Sequence, residues 1–232
     1  MQIALLGDIH GNDLALQAVL ASVRTENIDL LLVSGDLVGY YFAPDKVMEM
    51  LRPWKKHMIR GNHEDMLASA RNNQDQLLRI DRSYGCGIRL ALEKLSAAEV
   101  DELTALPRSL EIEFGSFRVC LCHGAPWDTD QYVYPDASDN LLGRCAAPGF
   151  DAVVMGHTHY PMKHRINNTL LINPGSVGQP RNRNPGADWA VLDTATGSVS
   201  LRHENYDSSP LILEAKRRHP DISYLSDVLE RR

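Results

Sequence analysis

The chain has 232 residues, of which 44% are hydrophobic and 6% aromatic, and this is enough apolar material for the core of one large domain. Its 30 acidic residues outnumber its 24 lysines and arginines, and the formal net charge of −6 does not favour binding to duplex nucleic acid. No uninterrupted apolar stretch approaches the ~18 residues that a membrane-spanning helix needs. We therefore predict a single domain over residues 1–232 without a membrane span.

The four cysteines, at positions 86, 120, 122 and 145, form no Cys-x-x-Cys pair. This spacing does not indicate a zinc knuckle or a thioredoxin-type redox site. Cys120 and Cys122 lie inside a strand-like run, where we expect them to be small core residues. The chain begins directly with another strand-like run rather than with a secretory signal pattern. We expect reduced thiols and a cytoplasmic location.

The first 60 residues alternate apolar runs with helical patterns. The predicted strands are residues 3–6, 30–33 and, more weakly, 57–60, and the predicted helices are residues 12–26 and 44–52. Pro44 suits the first turn of the second helix, because its fixed φ is already helical there. Strands and helices in this order predict parallel strands joined by helical crossovers.

Residues 64–106 lack strand-like runs and have a helical pattern. Ser96 and Glu99 form a capping box that predicts the start of the last helix in this segment. Because the segment follows the corner at residues 61–63, it could overhang a site there as a partial lid. Ordinary helical packing against the sheet is the alternative interpretation.

The second half of the chain is richer in hairpins. Strand pairs are predicted at residues 110–114 with 117–122 and at residues 189–192 with 199–203, with a further strand at 152–155 and a helical tail at 209–232. Parallel crossovers followed by antiparallel strands are most simply accommodated in two mixed sheets. We predict that these sheets pack face to face with the helices outside.

Potential metal ligands directly follow the predicted strands. They are Asp8, His10, Asp36, Asn62, His123, His157 and His159. Ligands in open α/β sheets lie beyond the carboxyl ends of the strands, so we expect these side chains to converge. Asp8 and His10 are two residues apart, and extended backbone would direct both to the same side. Glycines at positions 7, 35, 61 and 156 precede ligands, where they would let the backbone bend sharply.

The mixture of carboxylate, imidazole and amide donors suits Mn, Fe or Zn better than Mg or Ca. Taken singly, each residue has a structural explanation: Asp8 could cap a helix and His123 could be a hydrogen-bonded core histidine. Their joint occurrence at matching strand ends favours a centre with two divalent ions, which suits in-line displacement at phosphorus. Beside it, His63 is a candidate acid for the leaving group and Arg181 a candidate contact for a phosphate oxygen.

These residues resemble the motifs of the calcineurin-like metallophosphoesterase superfamily. The matching segments are Gly7-Asp8-Ile9-His10-Gly11-Asn12, Gly35-Asp36, Gly61-Asn62-His63-Glu64, His123-Gly124 and Gly156-His157-Thr158-His159. The resemblance implies an α/β fold that is a four-layer α/β/β/α sandwich of two mixed sheets flanked by helices. It also implies a soluble hydrolase of small phosphate esters, such as a phosphodiester or a nucleotide-like molecule.

The resemblance further implies a role for each motif residue. One metal ion would be bound by Asp8, His10 and His159 and the other by Asn62, His123 and His157, with Asp36 bridging the two. A hydroxide between the ions would be the nucleophile. His63 matches the family histidine that protonates the leaving group or stabilises transition-state charge.

The chain departs from part of this family. Asp36 is followed by Leu37-Val38-Gly39-Tyr40-Tyr41, where the Ser/Thr protein phosphatases and diadenosine tetraphosphatases carry Asp-Arg-Gly. The chain is therefore most similar to the small prokaryotic phosphodiesterase branch related to diadenosine tetraphosphatase. A dinucleoside polyphosphate hydrolase and a Ser/Thr protein phosphatase are the alternative enzymes. A non-catalytic scaffold like the retromer subunit of this fold is disfavoured, because every motif ligand is present.

Overall fold

The computed structural model describes residues 1–146 and 149–232. The strands are β1 (Gln2–Leu6), β2 (Leu30–Val33), β3 (Lys55–Met58), β4 (Ser109–Phe114), β5 (Phe117–Cys122), β6 (Ala152–Val154), β7 (Met162–Ile166), β8 (Thr169–Asn173), β9 (Ala187–Asp193) and β10 (Ser198–Glu204). The helices are α1 (Asp13–Thr25), α2 (Pro44–Leu51), α3 (Asn62–Ala70), α4 (Gln74–Tyr84), α5 (Gly87–Lys94), α6 (Ala97–Ala105), α7 (Asp139–Cys145), α8 (Ser209–Arg218) and α9 (Tyr224–Glu230).

The first sheet has the strand order β10-β9-β1-β2-β3. The predicted crossovers are confirmed, since β1, β2 and β3 are parallel and α1 and α2 connect them. The third strand lies two residues earlier than expected. Beyond Met58 the neighbouring β2 has ended, and the Arg60 N–H donates instead to the Pro107 carbonyl oxygen. The antiparallel hairpin of β9 and β10 completes the sheet beside β1.

The second sheet has the order β4-β5-β6-β8-β7. The predicted hairpin of β4 and β5 is confirmed, because Phe114 pairs with Phe117 and Gly115-Ser116 form the two-residue turn between them. Strands β5, β6 and β8 are parallel, whereas β7 is antiparallel to β8. Both sheets are therefore mixed, and each brings parallel strands to a common edge.

The two sheets pack face to face. Alternate residues of β1 enter different layers, since successive side chains of a strand point to opposite faces. Ile3 and Leu5 belong to the core between the sheets, together with Val119 and Leu121 of β5. Ala4 and Leu6 of β1 face the helices that cover the first sheet. On the far side of the second sheet, Cys120 and Cys122 pack in the cluster that includes Leu142 of α7. The predicted four-layer sandwich is confirmed.

Helices α3 to α6 cover the first sheet, and α6 begins at the predicted capping box, in which the Ser96 hydroxyl accepts the Glu99 N–H. The C-terminal helices α8 and α9 pack instead against Tyr41 and Phe42, in the loop that follows β2. All four cysteines are buried free thiols, as predicted. Across residues 1–146 and 149–232, no helix combines the length and apolarity needed to cross a membrane.

Candidate metal centre

The predicted ligands converge at the carboxyl ends of the parallel strands of both sheets. The side chains of Asp8, His10, Asp36, His123, His157 and His159 are all buried, and Asn62 beside them is half-buried. The stretches that follow β1, β2, β5 and β6 therefore meet at one point, as the order of the strands predicts.

The first group consists of Asp8, His10 and His159. His10 Nε2 lies 3.1 Å from His159 Nε2, and His159 Nε2 lies 3.4 Å from Asp8 Oδ1. The His10 nitrogen is 4.0 Å from the same Asp8 oxygen. The three candidate ligand atoms all lie within 4.8 Å of one another, which is a separation that a single cation can span.

The second group consists of Asp36, His123 and His157, with Asn62 beside it. Their candidate ligand atoms also lie within 4.8 Å of one another. His123 Nε2 is 3.4 Å from Asp36 Oδ2 and 3.0 Å from Asn62 Oδ1. Asp36 Oδ2 is in addition 3.7 Å from His10 Nε2, so this one oxygen lies between the two groups.

Backbone carbonyl groups orient three of the imidazoles. His10 Nδ1 lies 3.1 Å from the Val38 carbonyl oxygen, His123 Nδ1 lies 2.7 Å from that of Ser34, and His159 Nδ1 lies 2.7 Å from that of Gln179. A carbonyl oxygen only accepts hydrogen bonds, so each Nδ1 carries a proton and each Nε2 points into the cluster, where the neutral form of the ring presents a lone pair. A hydrogen bond of this kind on the outer nitrogen is typical of metal-binding histidines.

These lone pairs fit a bound cation. His10 Nε2 and His159 Nε2 are 3.1 Å apart, and in the neutral rings neither nitrogen carries a proton. Their two lone pairs repel each other, and a cation bound between them would remove this repulsion. His157 Nε2 is buried and has no hydrogen-bond partner among the described residues. A buried polar atom left in this way is costly unless a ligand satisfies it. The donor set therefore suits a divalent transition metal ion.

Burial keeps three of the histidines neutral. It lowers the pKa of His157 to about 4 and holds the pKa of His10 and of His159 well below the usual value. Neutral imidazole is the form that binds a metal ion, so these three side chains need not lose a proton when an ion enters.

The other charged groups influence one another. Burial raises the pKa of Asp8 to about 7, and the charge of Asp36 adds to that effect. Burial by itself would lower the pKa of His123, but the carboxylates of Asp36 and Asp8 and the hydrogen bonds to Asp36 and to the Ser34 carbonyl oxygen together raise it to about 10. Burial likewise opposes ionisation of Asp36, whereas His123 and His63 hold its pKa well below the usual value. Asp36 and His123 therefore form a buried ion pair when no metal is bound.

The backbone at the ligands is not extended, in contrast to the expectation for Asp8 and His10. Left-handed conformations, with φ between 52° and 66°, occur at Asp8, His10, Asp36, His157 and His159. This region is disfavoured for residues with a Cβ, by roughly 1–2 kcal/mol each. Asp8 and His10 come together because the loop coils tightly after β1, and not because they lie on one side of a strand. Such strain is typical of functional sites.

The glycines before the ligands differ in function from one another. Only Gly35 has a positive φ, of 95°, so the expected sharp bend is found at this one of the four positions. At Gly61 the reason is space, because a Cβ there would lie 2.2 Å from Asp36 Oδ1 and 2.7 Å from His123 Cε1. A side chain at position 61 would push apart the two residues of the ion pair.

His63 lies beside the cluster, as predicted, and its backbone N–H donates to Asp36 Oδ1 at 2.9 Å. Its ring is packed between aromatic neighbours, with centroids 4.6 Å from His10, 4.7 Å from Tyr40 and 5.6 Å from Tyr84. Burial lowers the pKa of His63, and Nδ1 has no partner among the described residues. Aromatic rings therefore surround the His63 imidazole, and no carboxylate of the described residues makes a hydrogen bond to its Nδ1.

Arg181 also lies at the site, as predicted. Its Nη2 donates to the Tyr40 hydroxyl and to Gln179 Oε1, each at 3.2 Å, and its backbone N–H donates to the His159 carbonyl oxygen. The buried Nε has no partner among the described residues. The guanidinium is thus held in place, and Arg181 is part of the wall of the cavity.

Glu64 is a buried site residue for which the sequence indicated no role. Its Oε2 accepts the N–H groups of Asp36 at 2.9 Å and Gly61 at 2.8 Å, and its Oε1 accepts those of Leu37 at 2.8 Å and Val38 at 3.3 Å. Burial and the charge of Asp36 raise the pKa of Glu64 to about 7, while these N–H groups act against the increase. An acidic residue three positions after Gly61, at the start of a helix, was the available signal.

Several tyrosines surround the cluster, which the sequence did not indicate. The cavity over the metal ligands is lined by Asp36, Tyr40, Asn62, His63, Tyr84, Tyr132, His157, His159 and Arg181. Three of these residues are tyrosines from distant parts of the chain. Residues 173–176 support the loops that carry the candidate ligands: Asn173 Nδ2 donates to the Gly156 carbonyl oxygen, and the Ser176 hydroxyl donates to the Asp8 carbonyl oxygen.

Comparisons with known proteins agree with this geometry. The family model described as "Calcineurin-like phosphoesterase superfamily domain" matches residues 1–197. A probable metallophosphoesterase of Methanothermobacter thermautotrophicus is 28% identical over 218 residues, which cover 89% of this chain and 99% of the relative. Phosphodiesterase YfcE of Escherichia coli K12 is 25% identical over 209 residues, which cover 86% and 91%.

The fold also matches a solved structure. The crystal structure of hypothetical protein PH1004 from Pyrococcus horikoshii superposes with a TM-score of 0.88 and 21% identity, over 99% of this chain and 98% of that one. At this identity the similarity concerns the fold alone. The family match extends over most of the chain and includes every predicted ligand. The chain belongs to the calcineurin-like phosphoesterase superfamily.

Proposed function

We propose that this protein is a hydrolase of a small phosphate ester, either a phosphodiester or a nucleotide-like molecule, and that it uses two divalent metal ions. The observation that carries the proposal is the position of Asp36 Oδ2, which lies 3.7 Å from His10 Nε2 and 3.4 Å from His123 Nε2. A carboxylate oxygen that lies between two groups of candidate metal ligands is the arrangement expected of a bridging ligand.

The proposed ligand sets follow the two groups. One ion would be bound by Asp8, His10 and His159, and the other by Asn62, His123 and His157. Asp36 would bind both ions. The donors favour Mn, Fe or Zn. When bound, such ions polarise phosphoryl oxygens and lower the pKa of a coordinated water.

Other residues of the chain would act on the substrate directly. Arg181 would donate its free Nε–H to a phosphate oxygen, because the two hydrogen bonds at its Nη2 already fix the guanidinium. His63 would donate a proton or a hydrogen bond to the leaving oxygen. Because its pKa is lowered, His63 is mainly the neutral imidazole. We therefore favour a hydrogen bond to the negative charge that develops on the leaving oxygen over the transfer of a proton.

The cavity also favours a small substrate over a dinucleoside polyphosphate. A chain of several phosphates requires several cationic partners, and among the described lining residues Arg181 is the one lysine or arginine. YfcE, a relative of comparable length, carries the name phosphodiesterase. Both points support the phosphodiesterase assignment for this chain.

The test is to assay bis-p-nitrophenyl phosphate beside diadenosine tetraphosphate, with Mn²⁺ present and with a chelator. We expect metal-dependent hydrolysis of the diester to exceed that of diadenosine tetraphosphate. Asp36→Ala and His123→Ala should lose both bound metal, by elemental analysis of the purified protein, and activity. Preference for diadenosine tetraphosphate would favour the alternative enzyme, and hydrolysis of neither compound would overturn the proposal.

A further inference from the structure

We propose that Tyr132 and Tyr134 form a stacking platform for a planar ring of the substrate, so that the preferred ester carries an aryl group or a nucleobase. This inference rests on the proposed function, because it names the class of molecule that the same site would take. We call these two side chains the aromatic platform.

The two rings are exposed although they belong to an ordered part of the structure. Their exposed fractions are 42% and 40%, their planes are 11° from parallel, and their centroids are 5.6 Å apart. Adjacent exposed aromatic rings form a contiguous apolar patch, and such patches often mark binding sites. Two nearly parallel aromatic faces are what a flat guest requires for stacking.

The segment that carries the aromatic platform is anchored on both sides. Val133, between the two tyrosines, is 3% exposed and packs in the core cluster of the second sheet. The Pro135 carbonyl oxygen accepts a hydrogen bond from His164 Nε2 at 2.9 Å. Because Val133 points inward and the tyrosines on either side of it point outward, both rings lie on the same side of the segment. The two side chains therefore lose little conformational entropy when a ligand binds.

The aromatic platform adjoins the metal ligands. The Tyr132 ring centroid is 4.1 Å from that of His157, and Tyr132 lines the same cavity as Arg181. Tyr134 lies one ring further out and contacts Tyr160 edge-on at 5.7 Å. A phosphate at the metal ligands would therefore place its organic group against the tyrosines. A ring gains from that contact, whereas an alkyl group gains little.

The experiment measures binding without turnover. Phosphonates resist hydrolysis of the C–P bond, so pairs that differ only in the ring isolate its contribution. Isothermal titration in Mn²⁺ would compare phenylphosphonate with methylphosphonate, and the methylene phosphonate analogue of AMP with that of ribose 5-phosphate. The first pair tests an aryl group, and the second pair tests a nucleobase.

The variants that test the aromatic platform are Tyr132→Ala and Tyr134→Ala. Trp127→Ala is the matched control, because Trp127 is a similarly exposed aromatic residue of the same loop that packs under Arg144.

We expect the wild-type protein to bind the ring-bearing member of at least one pair about tenfold more tightly than its partner, as is usual for stacking on an aromatic side chain. Tyr134→Ala should lose most of that preference, with bound metal unchanged, and Trp127→Ala should keep it. Equal affinities within both pairs in the wild type, or a preference that survives both tyrosine variants, would overturn the inference. A wild-type protein that prefers the ring but hydrolyses no ester would instead contradict the proposed function alone.

Discussion

At the scale of single residues, the chemistry of the site depends on groups that are not themselves ligands. Carbonyl oxygens of Val38, Ser34 and Gln179 fix which nitrogen of three histidines is free. Glu64 collects four backbone N–H groups from the two loops that carry Asp36 and Asn62. Ligand side chains attached to strained, left-handed backbone need such support, because the backbone alone would not hold them there.

Glu64→Gln should destabilise the protein. Glutamine keeps one acceptor oxygen but turns an NH₂ group toward two buried N–H donors, and a buried donor left without a partner costs roughly 1–3 kcal/mol. We expect a loss of about 3 kcal/mol in the free energy of unfolding, measured by urea denaturation of the metal-free protein. Glu102→Gln, at an exposed position of α6, is the control and should change little. Equal midpoints for Glu64→Gln and wild type would contradict this role.

His63→Ala should retain bound metal but lose turnover. The backbone N–H that holds Asp36 remains, whereas the imidazole beside the leaving oxygen is removed. A positioned acid or hydrogen-bond donor contributes about 10²–10⁴ in rate. We expect kcat for bis-p-nitrophenyl phosphate to fall by about that factor, with unchanged metal content by elemental analysis. His57→Ala removes an exposed histidine and should behave as wild type. Turnover at the wild-type rate in His63→Ala would exclude the role.

At the scale of elements, the helices α3 to α6 determine what overhangs the site. Buried residues from each of them, including Leu67, Ile80, Ile88 and Leu103, belong to the same hydrophobic cluster as β1 and β2. Within residues 71–106, which follow α3, Tyr84 at the end of α4 lines the cavity. Separating these helices from the sheet would expose that cluster to water. The free-energy cost would be about 25 cal/mol for each Å² of apolar surface exposed.

We therefore propose that residues 64–106 form a fixed wall of a single domain rather than a moving lid. Hydrogen–deuterium exchange with and without Mn²⁺ plus phosphate should show the same protection in α4, α5 and α6. Residues 35–41, which contact the ligands directly, are the internal control and should become more protected. Strong new protection throughout residues 74–105 on ligand binding would indicate a lid.

At the scale of the whole molecule, the two sheets and the candidate metal ligands that they carry form one structural unit. The first sheet supplies Asp8, His10 and Asp36, and the second supplies His123, His157 and His159, so the site closes only when the sheets pack together. An ion bound by ligands from both sheets would act as a cross-link between them. Ligands that bind the folded state alone raise its stability by mass action.

Removal of metal should accordingly lower the melting temperature in a single cooperative transition. At an ion concentration 100 times the dissociation constant the stabilisation is about 2.7 kcal/mol, which corresponds to roughly 5–10 °C for a domain of this size. Differential scanning fluorimetry with a chelator, with Mn²⁺ and with Ca²⁺ would measure it. Ca²⁺ prefers oxygen ligands and should have the smaller effect. A melting temperature that is the same in chelator and in Mn²⁺ would contradict a metal site between the sheets.

The amino-acid sequence by itself was enough to predict eight of the ten strands in the described residues, two mixed sheets packed face to face, and the candidate ligands that the fold brings together. Buried parallel strands leave continuous apolar runs, and Asp8, Asp36 and His123 follow such runs directly, so local pattern and chain order sufficed. The tertiary structure alone decided the left-handed backbone of the ligands, the four N–H groups on Glu64 and the meeting of Tyr132 with His157. These features depend on contacts between residues far apart in the chain, for which a linear pattern of apolar and polar residues carries no signal.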